Sequence, residues 1–158
     1  MAFNRRSMFG TLAQTCDLLD IERRNVIIVG GGASLYYGLR ETTQDIDVAL
    51  DSECFDRIVA DQNLTSTILP MLGSYPSIEV VTFGGVDFHR VANIDSQERR
   101  SHRGFGVQTK LNLLRFRVAL GRGKDLSDIE SLEEFWGMLS TIDNNRLKRL
   151  MEQYHDHT

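Results

Sequence analysis

Residues 25–51 read NVIIVGGGASLYYGLRETTQDIDVALD, and this stretch decides the fold. It starts with a β-branched run, Val26–Val29, bounded by a polar residue and three glycines, which predicts a strand buried on both faces. The glycines at 30–32 end that strand. Because they lack a Cβ atom, they let main-chain NH groups approach a ligand closely. The stretch therefore begins as a buried strand that leads into a turn suited to an anion.

A short helix is predicted directly after this turn, over Ala33–Leu39. Ser34 falls in its first turn, so a hydroxyl and several unpaired NH groups face one point. Such a point suits a phosphate group. A glycine turn alone is more often structural, so the phosphate assignment depends on the residues that come after the helix.

Two carboxylates alternate along the next predicted strand, which covers Asp45–Leu50. A period of two places Asp45 and Asp47 on one face and Ile46 and Val48 on the other. Carboxylates about 7 Å apart on one strand face repel each other unless a cation lies between them. Hard oxygen ligands select magnesium or manganese. The pattern therefore predicts a divalent metal site held by the two aspartates.

Three other motifs do not fit these residues. A P-loop needs lysine where Leu39 stands, and a dinucleotide-binding turn from Gly30 needs glycine or alanine where Leu35 stands. A calcium loop starting at Asp45 needs glycine at its sixth position, which is Leu50. We therefore set all three aside.

The order GGGAS and then Asp-Ile-Asp-Val resembles the signature of the polymerase-beta type nucleotidyltransferase superfamily. The resemblance implies that Gly31, Gly32 and Ser34 hold the triphosphate of a nucleotide. It also implies that Asp45 and Asp47 bind two divalent ions. The expected structure is an α/β nucleotidyltransferase fold, with a mixed sheet of four to five strands flanked by helices. Family members carry a third carboxylate on a neighbouring strand.

A hairpin further along the chain offers that third carboxylate. Ile78–Phe83 and Val86–Val91 read as strands joined by two glycines, which is a hairpin signal. Alternation along the second strand puts Asp87 and His89 on one face. By resemblance, Asp87 completes the metal site and acts as general base on the acceptor hydroxyl. Glu79 also alternates on a neighbouring strand, and the choice between the two acids stays open.

The remaining elements are predicted from their periodicity. Arg6–Leu19 has apolar residues at helical spacing and predicts an amphipathic helix. Helices are also expected over about Cys54–Ala60 and around Leu147. The polar stretch Asn93–His102 predicts a loop, and Phe105–Val107 predicts a short strand that closes the sheet.

The charge distribution indicates an anionic ligand. The 158 residues carry a net charge of −4, yet Arg99–Lys124 holds eight basic residues and no acid. The rest of the chain has ten basic and twenty-two acidic residues, a balance of −12. A basic segment on an acidic body favours a local anionic partner. We therefore expect Arg99, Arg100 and Arg103 to form an RNA-facing patch if the acceptor is RNA or a tRNA end.

Two further cations are candidates for nucleotide binding. Arg40 stands between the short helix and the Asp-x-Asp strand, where a phosphate contact and a surface turn are equally good interpretations. A helix is predicted from about Thr109, with Lys110 in its first turn. A cation there opposes the helix dipole unless an anion is nearby.

The stretch Gly121–Ile129 resembles the Lys-Asp-x-x-Asp-Ile segment of small bacterial nucleotidyltransferases related to AbiEii-type toxins. This resemblance implies that Lys110 and Lys124 bind phosphate and that Asp125 and Asp128 are structural. Read locally, Asp125 fits equally well as a helix N-cap.

Length and composition indicate the number of domains and the general class of protein. We expect one domain over 1–158, with 41% hydrophobic and 25% charged residues as in ordinary globular proteins. No apolar run approaches the roughly 20 residues that span a bilayer, and the start of the chain lacks a signal-peptide core. Cys16 and Cys54 are too few for a disulfide framework or a zinc site. The expectation is a cytoplasmic protein with no membrane partner.

These features predict a magnesium-dependent enzyme that moves a nucleoside monophosphate from a nucleoside triphosphate to an acceptor and releases pyrophosphate. An RNA or tRNA end, a small molecule and a protein hydroxyl all stay open as acceptors. The toxin-related resemblance adds an expected toxin–antitoxin or defence role. The alternative is a catalytically idle nucleotide- or RNA-binding protein of the same fold. Clustered carboxylates argue against it, since a binder of anions gains nothing from them.

Overall fold

The computed structural model describes residues 2–70 and 76–156. These residues form two compact units. The first comprises residues 2–70 and 77–109, and the second is built mainly from the chain after residue 109. The single domain expected over 1–158 stays a prediction.

The first unit contains a mixed sheet, to which the described residues contribute seven strands. The strands are β1 Val26–Ile28, β2 Ile46–Asp51, β3 Thr67–Leu69, β4 Ile78–Phe83, β5 Val86–Val91, β6 Arg99–His102 and β7 Phe105–Gln108. Their order in the sheet is β3-β4-β5-β2-β1-β7-β6. β2 pairs with β5 and β1 pairs with β7 in parallel, and the other neighbours are antiparallel.

The predicted number of four to five strands is therefore wrong. The two additional strands, β3 and β6, are the edges of the sheet. An edge strand has one free side and little apolar alternation, which removes the signal that identifies a strand from sequence. β6 is the clearer case, because Arg99–His102 is polar and lies in the stretch predicted to be a loop.

The central strands agree with the prediction. β1 is buried at all three positions, as expected of a strand covered on both faces. The β4–β5 hairpin has the predicted bounds. Its turn residues, Gly84 and Gly85, both have positive φ angles, 62° and 83°. Two consecutive positive φ angles match the right-handed twist of the flanking strands, so the turn fixes the register of the hairpin.

Three helices belong to the first unit: α1 Arg5–Leu19, α2 Gly30–Tyr36 and α3 Ser52–Asp61. α1 confirms the amphipathic prediction, and a capping box between Asn4 and Ser7 starts it. α2 begins at Gly30, three residues earlier than predicted. The glycines are therefore the first turn of the helix and do not form a separate loop.

The second unit contains the helices α4 Lys110–Leu120, α5 Leu126–Ser131 and α6 Thr141–Asp156. A charged cluster lies in its core. Arg117 is 3% exposed and donates from Nη1 to Oδ1 of the fully buried Asp125 at 2.9 Å. Its Nε lies 3.2 Å from Oδ2 of Asp128. Arg122 adds hydrogen bonds to Asp125 from its main-chain N and its Nε, at 3.0 and 2.8 Å.

None of the helices in the described part of the chain has the length and apolar character needed to cross a bilayer.

Candidate active site

Two of the three predicted acids lie directly opposite each other. The parallel register of β2 and β5 pairs Asp47 with Asp87, so both side chains project from the same face of the sheet. Asp45 lies one residue before β2 and is exposed. Its charge, like that of Asp47, acts on Asp87. Sheet pairing thus brings together carboxylates that are forty residues apart in sequence.

The glycine turn borders this acid pair. The main-chain N of Val29 donates to the carbonyl of Asp47 at 3.0 Å, which ties the end of β1 to β2. A Cβ atom placed on Gly30 would lie 3.9 Å from Oδ2 of Asp47. The main-chain N of Gly30 donates to Oε1 of Gln108 at 3.1 Å. The predicted neighbourhood of turn and carboxylate is therefore present in the fold.

Gly31 is required by a close approach. A Cβ atom at this position would lie 2.6 Å from Oγ1 of Thr43 and 3.8 Å from Nη1 of Arg40. At Gly32, a Cβ atom would lie 2.8 Å from Cγ2 of Ile28, so that glycine is required by core packing. The same geometry places Nη1 of Arg40 close to the glycine turn, and a phosphate contact by Arg40 stays a prediction.

Ser34 does not present its hydroxyl at the surface. It is fully buried and is the fifth residue of α2, not a residue of its first turn as predicted. The difference follows from the earlier start of the helix at Gly30. A phosphate contact by Ser34 stays a prediction, and it requires the side chain to become accessible.

Asp87 is held by a neighbouring hydroxyl. Oγ1 of Thr82 donates to its Oδ1 at 2.6 Å, and Thr82 is its partner in the β4–β5 register. Burial raises the pKa of Asp87 above its ordinary value, and the charges of Asp47 and Asp45 raise it further, against the opposing hydrogen bond of Thr82. One carboxylate oxygen is thus fixed, which leaves Oδ2 for other partners.

Glu79, the alternative third acid, lies elsewhere. The β4–β5 register puts Thr82 on the face that carries Asp87, so Glu79, three residues from Thr82, is on the opposite face. It accepts hydrogen bonds from Nε of Arg90 and from the hydroxyl of Ser66, both at 2.7 Å. The register therefore places Asp87, and not Glu79, beside Asp47.

The carboxylates of Asp45, Asp47 and Asp87 are the candidate ligands of a divalent cation. Within residues 2–70 and 76–156, no three acidic, histidine or cysteine side chains are gathered closely enough to hold a metal ion. Oδ1 of Asp47 lies 3.2 Å from Nε2 of His89 instead, and Asp87 uses Thr82. The oxygen atoms of Asp45, Asp47 and Asp87 are hard donors of the type that magnesium and manganese prefer, although the three side chains do not converge on one point in this arrangement.

A cavity of about 450 Å³ adjoins this cluster and includes Asp87 in its lining. Its polar lining residues are otherwise the hydroxyl side chains Thr65, Thr67 and Thr82. No lysine or arginine of the described residues lines it. Apart from Asp87, the described lining of this cavity is therefore uncharged, with three hydroxyl groups and three apolar side chains.

Other predicted ligands lie in the second unit. Lys110 is the first residue of α4, and its Nζ lies 3.7 Å from Oε1 of Glu134. Lys124 lies in a short 3-10 turn, Gly123–Asp125, and is exposed. Phosphate binding by the two lysines stays a prediction.

RNA binding by the expected patch of Arg99, Arg100 and Arg103 stays a prediction, and one of its members has partners within the fold. The guanidinium of Arg99 donates to three main-chain carbonyls, those of Gln97 at 3.3 Å, Arg24 at 3.2 Å and Ile94. Arg99 therefore connects the edge strand β6 to neighbouring segments of the chain.

Two residues at the site, Thr82 and Gln108, are absent from the residues predicted from sequence. Thr82 has a usable signal, because a two-residue turn at Gly84 and Gly85 implies that Thr82 faces Asp87. Gln108, whose side chain accepts from Gly30, has no local signal. It lies 78 residues after Gly30 and reaches the turn only because β7 pairs with β1.

Comparison with known proteins supports the fold. No protein-family model matches the chain, and no curated protein matches it. Among solved structures, it is similar to the Megavirus polyadenylate synthase, with a TM-score of 0.51 and 9% sequence identity. The match covers 84% of this chain and 33% of that structure, so the chain spans about a third of its length. This likeness supports a nucleotidyltransferase-type fold but no specific tie to AbiEii-type toxins.

Proposed function

We propose that the protein is a nucleotidyltransferase that moves a nucleoside monophosphate from a nucleoside triphosphate to an acceptor hydroxyl and releases pyrophosphate. One observation carries this proposal: Asp47 and Asp87 face each other in parallel register next to the glycine turn. Two carboxylates side by side, with no lysine or arginine of the described residues paired to them, favour a role for a bound cation over a purely structural role.

The residues of the site divide into two sets in this proposal. Gly31, Gly32 and Arg40 position the triphosphate, with the guanidinium of Arg40 directed to phosphate oxygens. The sequence resemblance supports three further phosphate contacts, by Lys110, Lys124 and Ser34. Most of the rate enhancement then comes from positioning and charge neutralisation.

Oxygen atoms of Asp45, Asp47 and Asp87 would hold magnesium or manganese. When bound, such a cation neutralises the phosphate charge and favours loss of the proton from the acceptor hydroxyl. Asp87 receives that proton at Oδ2, because Thr82 occupies Oδ1. The acceptor oxygen forms a bond to the α-phosphorus, the bond from that phosphorus to the bridging oxygen breaks, and pyrophosphate leaves with the bonding pair.

The acceptor enters from the cavity beside Asp87. Its threonine lining offers hydrogen bonds to a hydroxyl-bearing group, and no lysine or arginine among the described lining residues would recruit a polyanion there. A terminal ribose, a sugar or a protein hydroxyl all fit this description. A toxin or defence role remains part of the proposal and depends on which of these is the acceptor.

The test is a labelling experiment with each α-labelled nucleoside triphosphate, magnesium and a total cell extract. We expect label in one fraction, with stoichiometric pyrophosphate, and loss of both on chelation of the metal. The RNA, protein and small-molecule fractions identify the acceptor class.

Asp95→Asn serves as the control, since this exposed aspartate lies in a short 3-10 turn after β5 and is not one of the three predicted acids. Triphosphate binding with no label in any fraction and no pyrophosphate would reject the enzyme. It would favour the idle nucleotide-binding alternative.

A further inference from the structure

A second candidate site lies in the first unit and shares no lining residue with the acid cluster. It is a cavity of about 620 Å³ lined by Arg5, Arg6, Phe9, His102 and Arg103. Its residues come from the first turns of α1 and from the end of β6 with the turn after it. The fold therefore joins the start of the chain to a hairpin about one hundred residues later.

The cavity is strongly basic. Arg5, Arg6 and Arg103 are exposed, and α1 has no acidic residue in its first turn. Within residues 2–70 and 76–156, no carboxylate forms an ion pair with any of the three guanidinium groups. Three unneutralised cations around one cavity, in a chain with a net charge of −4, indicate an anionic ligand.

Aromatic rings hold two of these arginines in place. The guanidinium of Arg5 lies 4.7 Å from the ring centre of Tyr36, and that of Arg103 lies 5.9 Å from the ring centre of Phe9. The ring of His102 lies 4.9 Å from Phe9 and 5.1 Å from Tyr36. A guanidinium stacked on a ring keeps its NH donors in the plane, available for bidentate bonds to phosphate oxygens.

The positive charges of this cluster affect the pKa of His102. Burial lowers the pKa of His102 below its ordinary value, and the charges of Arg5, Arg103 and Arg100 lower it further. Arg100 therefore adds to the positive potential at the cavity, although it does not line it.

The turn that carries Arg103 has an unusual backbone. Arg103 has a φ of 52°, in the left-handed region, and Gly104 follows with 85°. The carbonyl of Arg103 accepts from Nη1 of Arg23 at 3.1 Å, which holds the turn. Asparagine or glycine adopts this conformation more easily than arginine. An arginine at this position therefore costs backbone energy, and a substitution to asparagine removes the charge without straining the turn.

We propose that this cavity binds the phosphodiester backbone of a single-stranded nucleic acid, with Arg5, Arg6 and Arg103 contacting successive phosphates. Three guanidiniums on two elements provide more charge than one phosphate group uses. A concave site lined by three arginines accepts the flexible backbone of an unpaired strand, whereas a duplex presents a convex surface. Binding of this strand does not depend on the proposed transferase function.

The experiment measures binding without transfer. Anisotropy of a short labelled RNA is recorded in the presence of a chelator over a series of salt concentrations. Arg5→Gln and Arg103→Asn should each weaken binding about fivefold near 0.1 M salt and lower the log–log salt slope by about 0.7. Arg149→Gln, at an exposed arginine of α6, removes the same charge and should change neither quantity.

The variants separate binding from folding. Thermal unfolding of Arg103→Asn should be unchanged or shifted upward, because asparagine favours the left-handed turn. If Arg5→Gln and Arg103→Asn both bind RNA as well as the native protein at every salt concentration, the inference is wrong, whatever the transfer assay shows. If both weaken binding while no labelling is ever seen, the transferase proposal fails and the nucleic-acid site stands.

Competing polyanions complete the test. Single-stranded DNA of the same sequence is expected to bind through the same arginines, and tighter binding of RNA would add a contact to the 2′-hydroxyl. Either result supports the inference. Competition by inorganic polyphosphate at equal phosphate concentration, with the same potency as RNA, would overturn it, because the site would then recognise charge alone.

Discussion

Two acidic clusters of this protein differ in whether an arginine of the chain neutralises their carboxylates. In the second unit, Asp125 and Asp128 are buried against the guanidinium of Arg117 at 2.9 and 3.2 Å. In the first unit, Asp47 and Asp87 face each other across parallel strands. In the part of the chain that the structure describes, no lysine or arginine forms an ion pair with either of them.

The comparison indicates which cluster has its carboxylates neutralised by the chain and which is suited to a bound ligand. A buried carboxylate that is neutralised within the chain is a structural element, because removing either partner leaves an uncompensated charge. Among the described residues, the pair at Asp47 and Asp87 has a histidine and a hydroxyl as polar side-chain partners. In the proposed function, a bound cation relieves the repulsion of this pair. Substitutions that remove charge should therefore affect stability in one cluster and activity in the other.

The largest effect is expected at Asp47. Asp47→Asn, like Asp45→Asn, removes a charged metal ligand with almost no change in volume, so metal-dependent transfer should fall at least about 1000-fold. Thermal unfolding should be unchanged or improved, because one repulsive charge is lost. Near-native transfer rates in both variants would end the interpretation of this cluster as a metal site.

Asp125→Asn is expected to act on stability instead. It leaves Arg117 buried beside a single aspartate, so the free energy of unfolding should fall by about 3–5 kcal/mol. Chemical denaturation measures this loss, and transfer per folded molecule should stay native in conditions where the variant remains folded. A fully stable Asp125→Asn that has lost transfer would reverse the roles of the two clusters.

The same aspartate predicts a pH dependence. Burial alone would raise the pKa of Asp125, but hydrogen bonds from Arg122 and the charges of Arg117 and Arg122 lower it overall. A lowered folded-state pKa stabilises the fold above the unfolded-state value, about 4, and this contribution is lost as the pH falls through the folded value. Acid titration of the free energy of unfolding should therefore be steeper below pH 4 for the native protein than for Asp125→Asn. Identical slopes would refute the assignment.

Asp87 and Glu79 provide a comparison within one hairpin. Asp87→Asn should cost about 100-fold in kcat, because it removes the carboxylate opposite Asp47. Glu79→Gln should leave kcat near native and act on stability through Arg90, which pairs with Glu79 on the other face. Steady-state rates of the two variants decide the question, and the reverse ranking would move the site to β4.

The smallest effect is expected at Thr82. Thr82→Val removes the hydroxyl that orients Asp87, and such supporting groups cost about tenfold in activity or metal affinity. Thr82→Ser keeps the hydroxyl and should restore most of the rate. A valine variant with a native rate and native magnesium dependence would show that Asp87 needs no orienting partner.

Local signals in the sequence were sufficient for the β4–β5 hairpin and α1. Both follow from periodicity and turn chemistry within about fifteen residues, and the structure confirms them. The order of buried strand, glycine turn and alternating acids was equally readable, although α2 starts earlier than predicted. Edge strands β3 and β6 were missed, because their residues lack the apolar alternation of a buried face.

In the basic segment Arg99–Lys124, the number of basic residues does not predict how many of them face an anionic ligand. Arg117 and Arg122 belong to the eight cations of Arg99–Lys124, yet both neutralise an aspartate just beyond the acid-free run. Arg99 fastens an edge strand through main-chain carbonyls. Sequence gives the sign of each charge but not its partner, since partners are chosen by packing.

The sequence by itself therefore determined the chemistry of the site: which residues are glycines, which are acids, and on which strand face each acid lies. Only the tertiary structure decided which acids meet, because the parallel pairing of β2 with β5 joins segments separated by some forty residues. It alone also gathered Arg5 and Arg6 with Arg103 around one cavity. Period-two alternation is encoded in neighbouring residues, whereas strand order depends on how the whole apolar surface is buried.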